Sequence, residues 1–248
     1  MTFFRAGLGL AAVLAAFSVA CSDGSDEPPT AEEAAAIVAA GLLEEADLPE
    51  ATWTVEDTDL STSPDGEGED DDLMTAESCA TVNALFDEIE GSSGSSLADV
   101  EREFTTGDEA QFQQTSITSN VFVPDPEIDL EATFEDIREA FAIDAIRPCF
   151  EESLPELFGG EEAGITVTSV TVTEATHVAE EGIGIAVDLD AVALIIPLVL
   201  HLEMHMWPSG DAVGSLMLLD LNSDLVSENS AAIVEAAEQK LADAVEAN

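Results

Sequence analysis

Leu198-Val199-Leu200-His201-Leu202-Glu203-Met204-His205-Met206-Trp207-Pro208-Ser209-Gly210-Asp211 decides the fold. Leu198, Leu200, Leu202, Met204 and Met206 occupy every second position, which is the side-chain period of a strand. Pro208-Ser209-Gly210-Asp211 is rich in turn formers, and Ala212–Leu221 returns as the strand's partner. On a helix, His201 and His205 would be neighbours four residues apart and able to share a zinc ion. On a strand they share a face but stand about 13 Å apart, four steps of about 3.3 Å. The spacing therefore predicts no metal site: His201, Glu203 and His205 form a polar sheet face, wet or packed under a loop, with Trp207 at its edge.

Working outward, Ile183, Ile185, Val187 and Leu189 line one face of the preceding strand. Ile165 and Val167 alternate with Thr before the phase slips near Ser169 and resumes at Val170 and Val172, the signature of a β-bulge. The apolar run Ala191–Leu200 contains Pro197 and has about half the length of a spanning helix, so it reads as a buried strand or strand pair. A further hairpin has arms near Asp99–Thr105 and Gln111–Val123, with its turn at 106–109. Short connections make the sheet mostly antiparallel, and its alternation is that of a sheet covered on one side.

Helices supply that cover. Thr30-Ala31-Glu32-Glu33 is a capping box, opening a helix that runs to about Glu45. Cys79, Val82, Phe86 and Ile89 share one face of a second helix over 75–90. Leu130, Phe134, Ile137 and Phe141 stripe a third, and a shorter helix carries Cys149 and Phe150 to Gly159-Gly160. The last runs from about Ser227 to Val245. The fold class is α+β: a single domain over residues 31–248, with a mostly antiparallel twisted sheet packed with helices.

Composition sets what this domain can meet. The 248 residues carry 54 acidic and 5 basic side chains, a net charge of -49. Nucleic acid is excluded as a partner, because phosphate binding needs clustered Lys and Arg. The acidic stretch within residues 61–72 lacks the ligand pattern of a calcium loop. No nucleophile elbow, phosphate loop or paired-histidine zinc motif occurs. The histidines are His177, His201 and His205, Tyr is absent, and Lys is scarce. The chain reads as non-enzymatic and without a cofactor.

The first 20 residues read as a lipoprotein signal peptide, with an ordinary signal peptide carrying an incidental Cys or an uncleaved N-terminal anchor as the alternatives. Arg5 precedes an apolar region from Ala6 to Phe17, and Ser18-Val19-Ala20-Cys21 follows it. Small residues before the cleavage point suit a signal peptidase, and the Cys behind them resembles the bacterial lipobox, whose thiol receives diacylglycerol. Cys21 is the expected lipid attachment point, and residues 21–30 the lipidated Cys and flexible tether. The expected location is the outer face of the bacterial membrane. Removing Cys21 from the count leaves Cys79 and Cys149, an even pair in a chain bound for an oxidising exterior. They point to a disulfide, with two buried free thiols as the alternative.

The order of these parts supports a resemblance. A lipobox, the Leu48-Pro49-Glu50-Ala51-Thr52-Trp53 strand, a Cys-bearing helix, a second Cys before the sheet, and a long hairpin with a C-terminal amphipathic helix follow one another. This arrangement resembles the exported sensor-type lipoproteins of actinobacteria, related to the PknH-like extracytoplasmic sensor domain family. The resemblance implies a sheet packed with helices around a cleft, a helix-to-helix disulfide, and binding or sensing outside the cell. The expected ligand is a small molecule, a lipid or an envelope protein. The other reading is a structural or envelope-interaction lipoprotein without a small-molecule pocket. A deep apolar pocket favours the first, and a filled sheet–helix interface favours the second.

The charge balance has a measurable consequence. Five cations cannot neutralise 54 carboxylates, so self-repulsion opposes the compact state until salt screens it. The melting temperature is expected to rise from low salt to roughly seawater-level salt, where the Debye length falls well below 10 Å. A flat or falling curve in a salt series would contradict this.

Overall fold

The computed structural model describes residues 28–60, 77–80, 82–83, 96–108, 111–158, 165–176, 178–179, 181–193 and 195–248. The leader, Cys21, most of the tether, the acidic stretch, most of the expected second helix, the 91–95 connector and His177 lie outside them.

Helix α1 spans Ala31–Gly41 and opens on the expected capping box. The Thr30 hydroxyl accepts from the Glu33 N–H, while the Glu33 carboxylate accepts from the Thr30 N–H at 2.8 Å. It ends at Gly41, earlier than the Ala-rich pattern predicts. Leu42 leaves the helix in extended conformation, and Leu42 and Leu43 are both buried; a continuing helix would turn one of this adjacent pair away from the core. Strand β1 (Thr54–Asp59) follows, then the hairpin of β2 (Ala98–Asp108) and β3 (Gln113–Val123).

Helix α2 (Leu130–Ala140) is capped by the Asp129 carboxylate, which accepts from the Ala132 N–H, and buries Leu130, Phe134 and Ile137. Phe141 falls at its C-terminal cap, one position beyond the helix. Helix α3 (Ile143–Phe158) is longer than its sequence pattern implies and contains Pro148 and Pro155. The remaining elements are β4 (Ile165–Glu174), β5 (Ile183–Ala193), β6 (Ile196–Ser209), β7 (Ala212–Leu221) and α4 (Ser230–Glu246). The run Ala191–Leu200 is thus a strand pair, the tip of the β5–β6 hairpin. The register of β4 against β5 shifts between Val167 and Ser169, where the phase slip places a bulge.

All seven strands form one antiparallel sheet in the order β1-β2-β3-β7-β6-β5-β4. With four helices among the described residues packed on it, the chain is one α+β domain.

The cover differs from expectation, because helices lie on both faces. Phe122, Ile185, Val187, Leu202, Met204 and Met217 form one core with α2, α3 and Cys79. Ile117, Val121, Trp207, Leu216 and Leu218 form the other with α1 and α4. The second core depends on Gly214 in β7, directly opposite Trp207. A Cβ on Gly214 would lie 2.5 Å from the indole carbons and 3.0 Å from Leu241 of α4. The absent side chain is the space in which Trp207 lies.

Cys79 and Cys149 are bridged, with Cα atoms 4.6 Å apart. Cys79 ends a 3-10 turn, Glu77–Cys79, and Cys149 lies in α3. Both are fully buried. Beside the bridge, the Ser78 hydroxyl lies 3.3 Å from the Pro148 carbonyl and 2.6 Å from Glu152.

Closing a loop of 70 residues contributes roughly 4 kcal/mol on the chain-entropy description. Cys149→Ser, or reduction before denaturation, is expected to lower unfolding free energy by that order in a urea titration. Unchanged midpoints with and without reductant would show that the bridge contributes nothing.

Candidate functional site

The sheet carries its most concentrated chemistry on the face that α1 and α4 cover elsewhere. Strand alternation puts His201, Glu203 and His205 of β6 on that face, and the β5 register sets Asp188, Ala186 and Gly184 opposite them. The two histidines thereby meet one carboxylate, Glu203, and Asp188 meets His201 from the neighbouring strand. Glu203 Oε1 lies 3.0 Å from His201 Nε2, and Oε2 lies 2.9 Å from His205 Nε2. His201 Nδ1 lies 2.7 Å from Asp188 Oδ1. The result is a chain of four side chains, Asp188–His201–Glu203–His205, running inward from an exposed end to a fully buried one.

Burial grades the electrostatics along this chain. The His201 side chain keeps 20% of its exposure and Glu203 only 5%. Hydrogen bonding to Glu203, aided by Asp188, outweighs desolvation and raises the His201 pKa to about 9. Desolvation alone pushes Glu203 up, but the hydrogen bonds and charges of His201 and His205 together overcome it and bring it to about 2. Both nitrogens of His201 donate to carboxylates, the arrangement of an imidazolium. His205 Nδ1 has no hydrogen-bond partner among the described residues and sits in a wall of Ala175 and Val178 behind Gly184.

The nitrogens of this chain of side chains do not converge on a common point: the two imidazoles turn their Nε2 atoms to opposite oxygens of Glu203. Among the described residues no group of three or more His, Cys, Asp or Glu side chains is placed to hold a metal. The chain can hold charge and fix the strand register, and no hydroxyl or thiol nucleophile adjoins it in these hydrogen bonds.

Two further buried carboxylates share the same logic. Asp220 accepts from the Thr115 hydroxyl at 2.7 Å and from the N–H groups of Val226 and Ser227 at 2.9 Å, which ties β7 to the segment leading into α4. On the opposite face Asp99 is held by Asn120 Nδ2 at 2.7 Å. Burial pushes its pKa up to about 6, against the opposing effect of that bond.

An open groove of 510 Å³ lies between β1, β2 and the turn Glu45–Asp47. Glu44, Glu45, Ala46, Val55, Asp57, Arg102 and Phe104 line it. Arg102 is already engaged: its guanidinium donates twice to Asp57, at 2.6 and 2.8 Å, and once to the Leu43 carbonyl at 3.0 Å. Asp57 is held below the usual carboxylate range by that pairing.

No family model, curated protein or solved structure matches this chain.

Of the residues singled out in sequence, the structure brings together Cys79 with Cys149, and His201 with Glu203 and His205. Cys21 and His177 fall outside the described residues. Asp188, Asp99 and Asp220 were not distinguishable among 54 carboxylates. For Asp99 and Asp220 the only sequence signal is a place within a strand, and Asp188 lies at the exposed end of its own chain of partners.

The His201–Glu203 pair makes stability pH-dependent, with a definite sign. The His201 contribution is complete below its unfolded value near 6.5 and is lost as pH rises toward and past 9. The Glu203 contribution is complete above about 4.5 and is lost as pH falls toward 2. His201→Ala is expected to destabilise the fold by about 2–3 kcal/mol near pH 6. That difference should vanish above pH 9, as read from denaturant midpoints across the range. A constant difference from pH 6 to 10 would mean that packing, not charge, carries the effect.

Proposed function

We propose that the protein is a lipid-anchored extracytoplasmic interaction module, tethered through Cys21 to the outer face of the membrane, which works through its surface instead of by enclosing a small molecule. One observation carries the second half of this reading. Among the described residues, both sheet–helix interfaces are filled by two apolar cores. The 510 Å³ space is an open surface groove whose one cation is already paired. Ligand pockets that bury a small molecule are concave and mostly apolar. The geometry thus favours the envelope-interaction reading over a sensor that engulfs its ligand.

The export half rests on sequence: the apolar leader, the small residues before Cys21, and the resemblance to PknH-like sensor domains. The disulfide supports it, since such bridges persist in oxidising compartments. The module is non-enzymatic in this proposal, because its densest cluster of titratable groups is consumed in mutual ion pairs. Its partner is an envelope component met by the surface.

Cys21→Ser is the test of attachment. The variant is expected to leave the membrane fraction or to persist as an uncleaved precursor, because two acyl chains are what make such anchoring stable. Unchanged fractionation with unchanged mature mass would overturn it. Native mass spectrometry of protein purified from its own envelope tests the mode of binding. A stoichiometric small molecule would overturn the surface reading, and a protein partner would support it.

A further inference from the structure

We propose that one end of the sheet is a lipid-docking tip, on which Ile195, Ile196, Val199 and Phe112 seat in the neutral surface of the bilayer; this rests on the tethered reading above. These residues are exposed by 90%, 37%, 51% and 41%, and among the described residues they are four of the five large apolar side chains so exposed. They converge on the same end of the fold. The last residue of β7 is Leu221, opposite Leu200, so β6 from Ile196 to Val199 runs on beyond it with β5 alongside. At about 3.3 Å per residue the hairpin projects by roughly 13 Å.

A rigid frame presents these side chains. Asn222 donates from Nδ2 to the Phe112 carbonyl at 2.9 Å, accepts at Oδ1 from the Val199 N–H at 2.8 Å, and donates its own N–H to the Val199 carbonyl at 2.8 Å. Phe112 and Asn222 both adopt positive φ, 56° and 48°. One residue thus clamps the β2–β3 turn, at Phe112, to the β5–β6 hairpin, at Val199.

Three arguments select lipid as the occupant. The chain carries no charge between Asp190 and His201, so the β5–β6 end of the tip, which holds three of the four side chains, offers only apolar contact. Four side chains bury a few hundred Å² at most, below the roughly 800 Å² per partner of a stable protein interface, which disfavours a second copy. The tether from Cys21 to Ala31 is about ten residues and reaches about 35 Å at full extension. It keeps the tip at a high local concentration near the bilayer, where weak insertion suffices. The net charge of -49 restricts docking to uncharged lipid.

The test uses the mature chain from Cys21 onward, which contains every described residue. With Cys79 and Cys149 bridged, its one thiol is coupled to a maleimide lipid in phosphatidylcholine vesicles, so attachment does not depend on biological lipidation. Trp53 and Trp207 are buried and give a low background. Ile195→Trp is expected to lose about twofold more emission than wild type when the acyl chains are brominated, because an inserted indole sits at the lipid interface. Ser209→Trp, at the opposite end of β6, is expected to match wild type. Adding Ile196→Glu and Val199→Glu to Ile195→Trp should abolish the loss. Three outcomes each overturn the proposal: no extra quenching at position 195, equal quenching at 209, or quenching that survives both glutamates. Concentration-dependent dimers that vanish with the glutamates would also overturn it, in favour of a second copy. Failure here leaves the anchor to be judged separately, by the Cys21→Ser fractionation.

Discussion

Burying both faces of one sheet is the constraint on which the rest of this structure depends. A strand flanked by helices above and below has no solvent side on which to place charge. With 54 carboxylates in the chain, acidic residues are pushed to helix backs, loops and the edge strand β1, whose six residues are all exposed. Those that remain inside must be satisfied within the protein, because an unpaired buried charge costs several kcal/mol. Glu203 takes two imidazoles, Asp220 takes a hydroxyl and two backbone N–H groups, and Asp99 takes an amide.

The same constraint explains the small residues of β7. Ala212 and Gly214 stand on the face where Trp207 and α4 must come close. A wide indole and a docked helix both need space above the sheet, and Gly214 provides it by having no side chain. Partners for the buried carboxylates and space for the indole are thus supplied on one face by residues of neighbouring strands, while His205 Nδ1 is left without a partner among the described residues. Glu203 is bounded by histidines, and Trp207 two steps beyond His205 by a glycine.

Much of this was legible in the sequence, and the failures have physical reasons. Period-two alternation located β5 and β6, the turn at Pro208–Asp211 located β7 as the returning partner, and the phase slip at Ser169 located the bulge. The count of cysteines located the bridge. The second covering layer was not legible, because His201, Glu203 and His205 look like a wet face when polarity alone is read. Polarity reports the need for a partner, not for water, and these three supply one another. The run Ala191–Leu200 failed in the opposite sense. Its hydrophobicity implied burial, yet Ile195 is among the most exposed residues described, because a hairpin tip lies beyond the reach of any covering helix. The early stop of α1 was hidden by high Ala propensity, which tertiary packing of Leu42 and Leu43 overrides.

The strand order carries a consequence in time. Strands β1 to β3 and strands β4 to β7 are two successive meanders, and they join only where β3 meets the last strand, β7. Gln114 pairs with Leu221, so the seam spans nearly half the chain. Synthesis proceeds from the N-terminus, and long-range pairing of this kind forms slowly. Until β7 arrives, β3 is a bare sheet edge, and Ile117 and Val121 have only α1 over them, since β7 and α4 come later still. The nascent protein therefore passes through a stage in which its stickiest edge waits for its final segment. Truncation between β3 and β7 would release chains frozen at that stage.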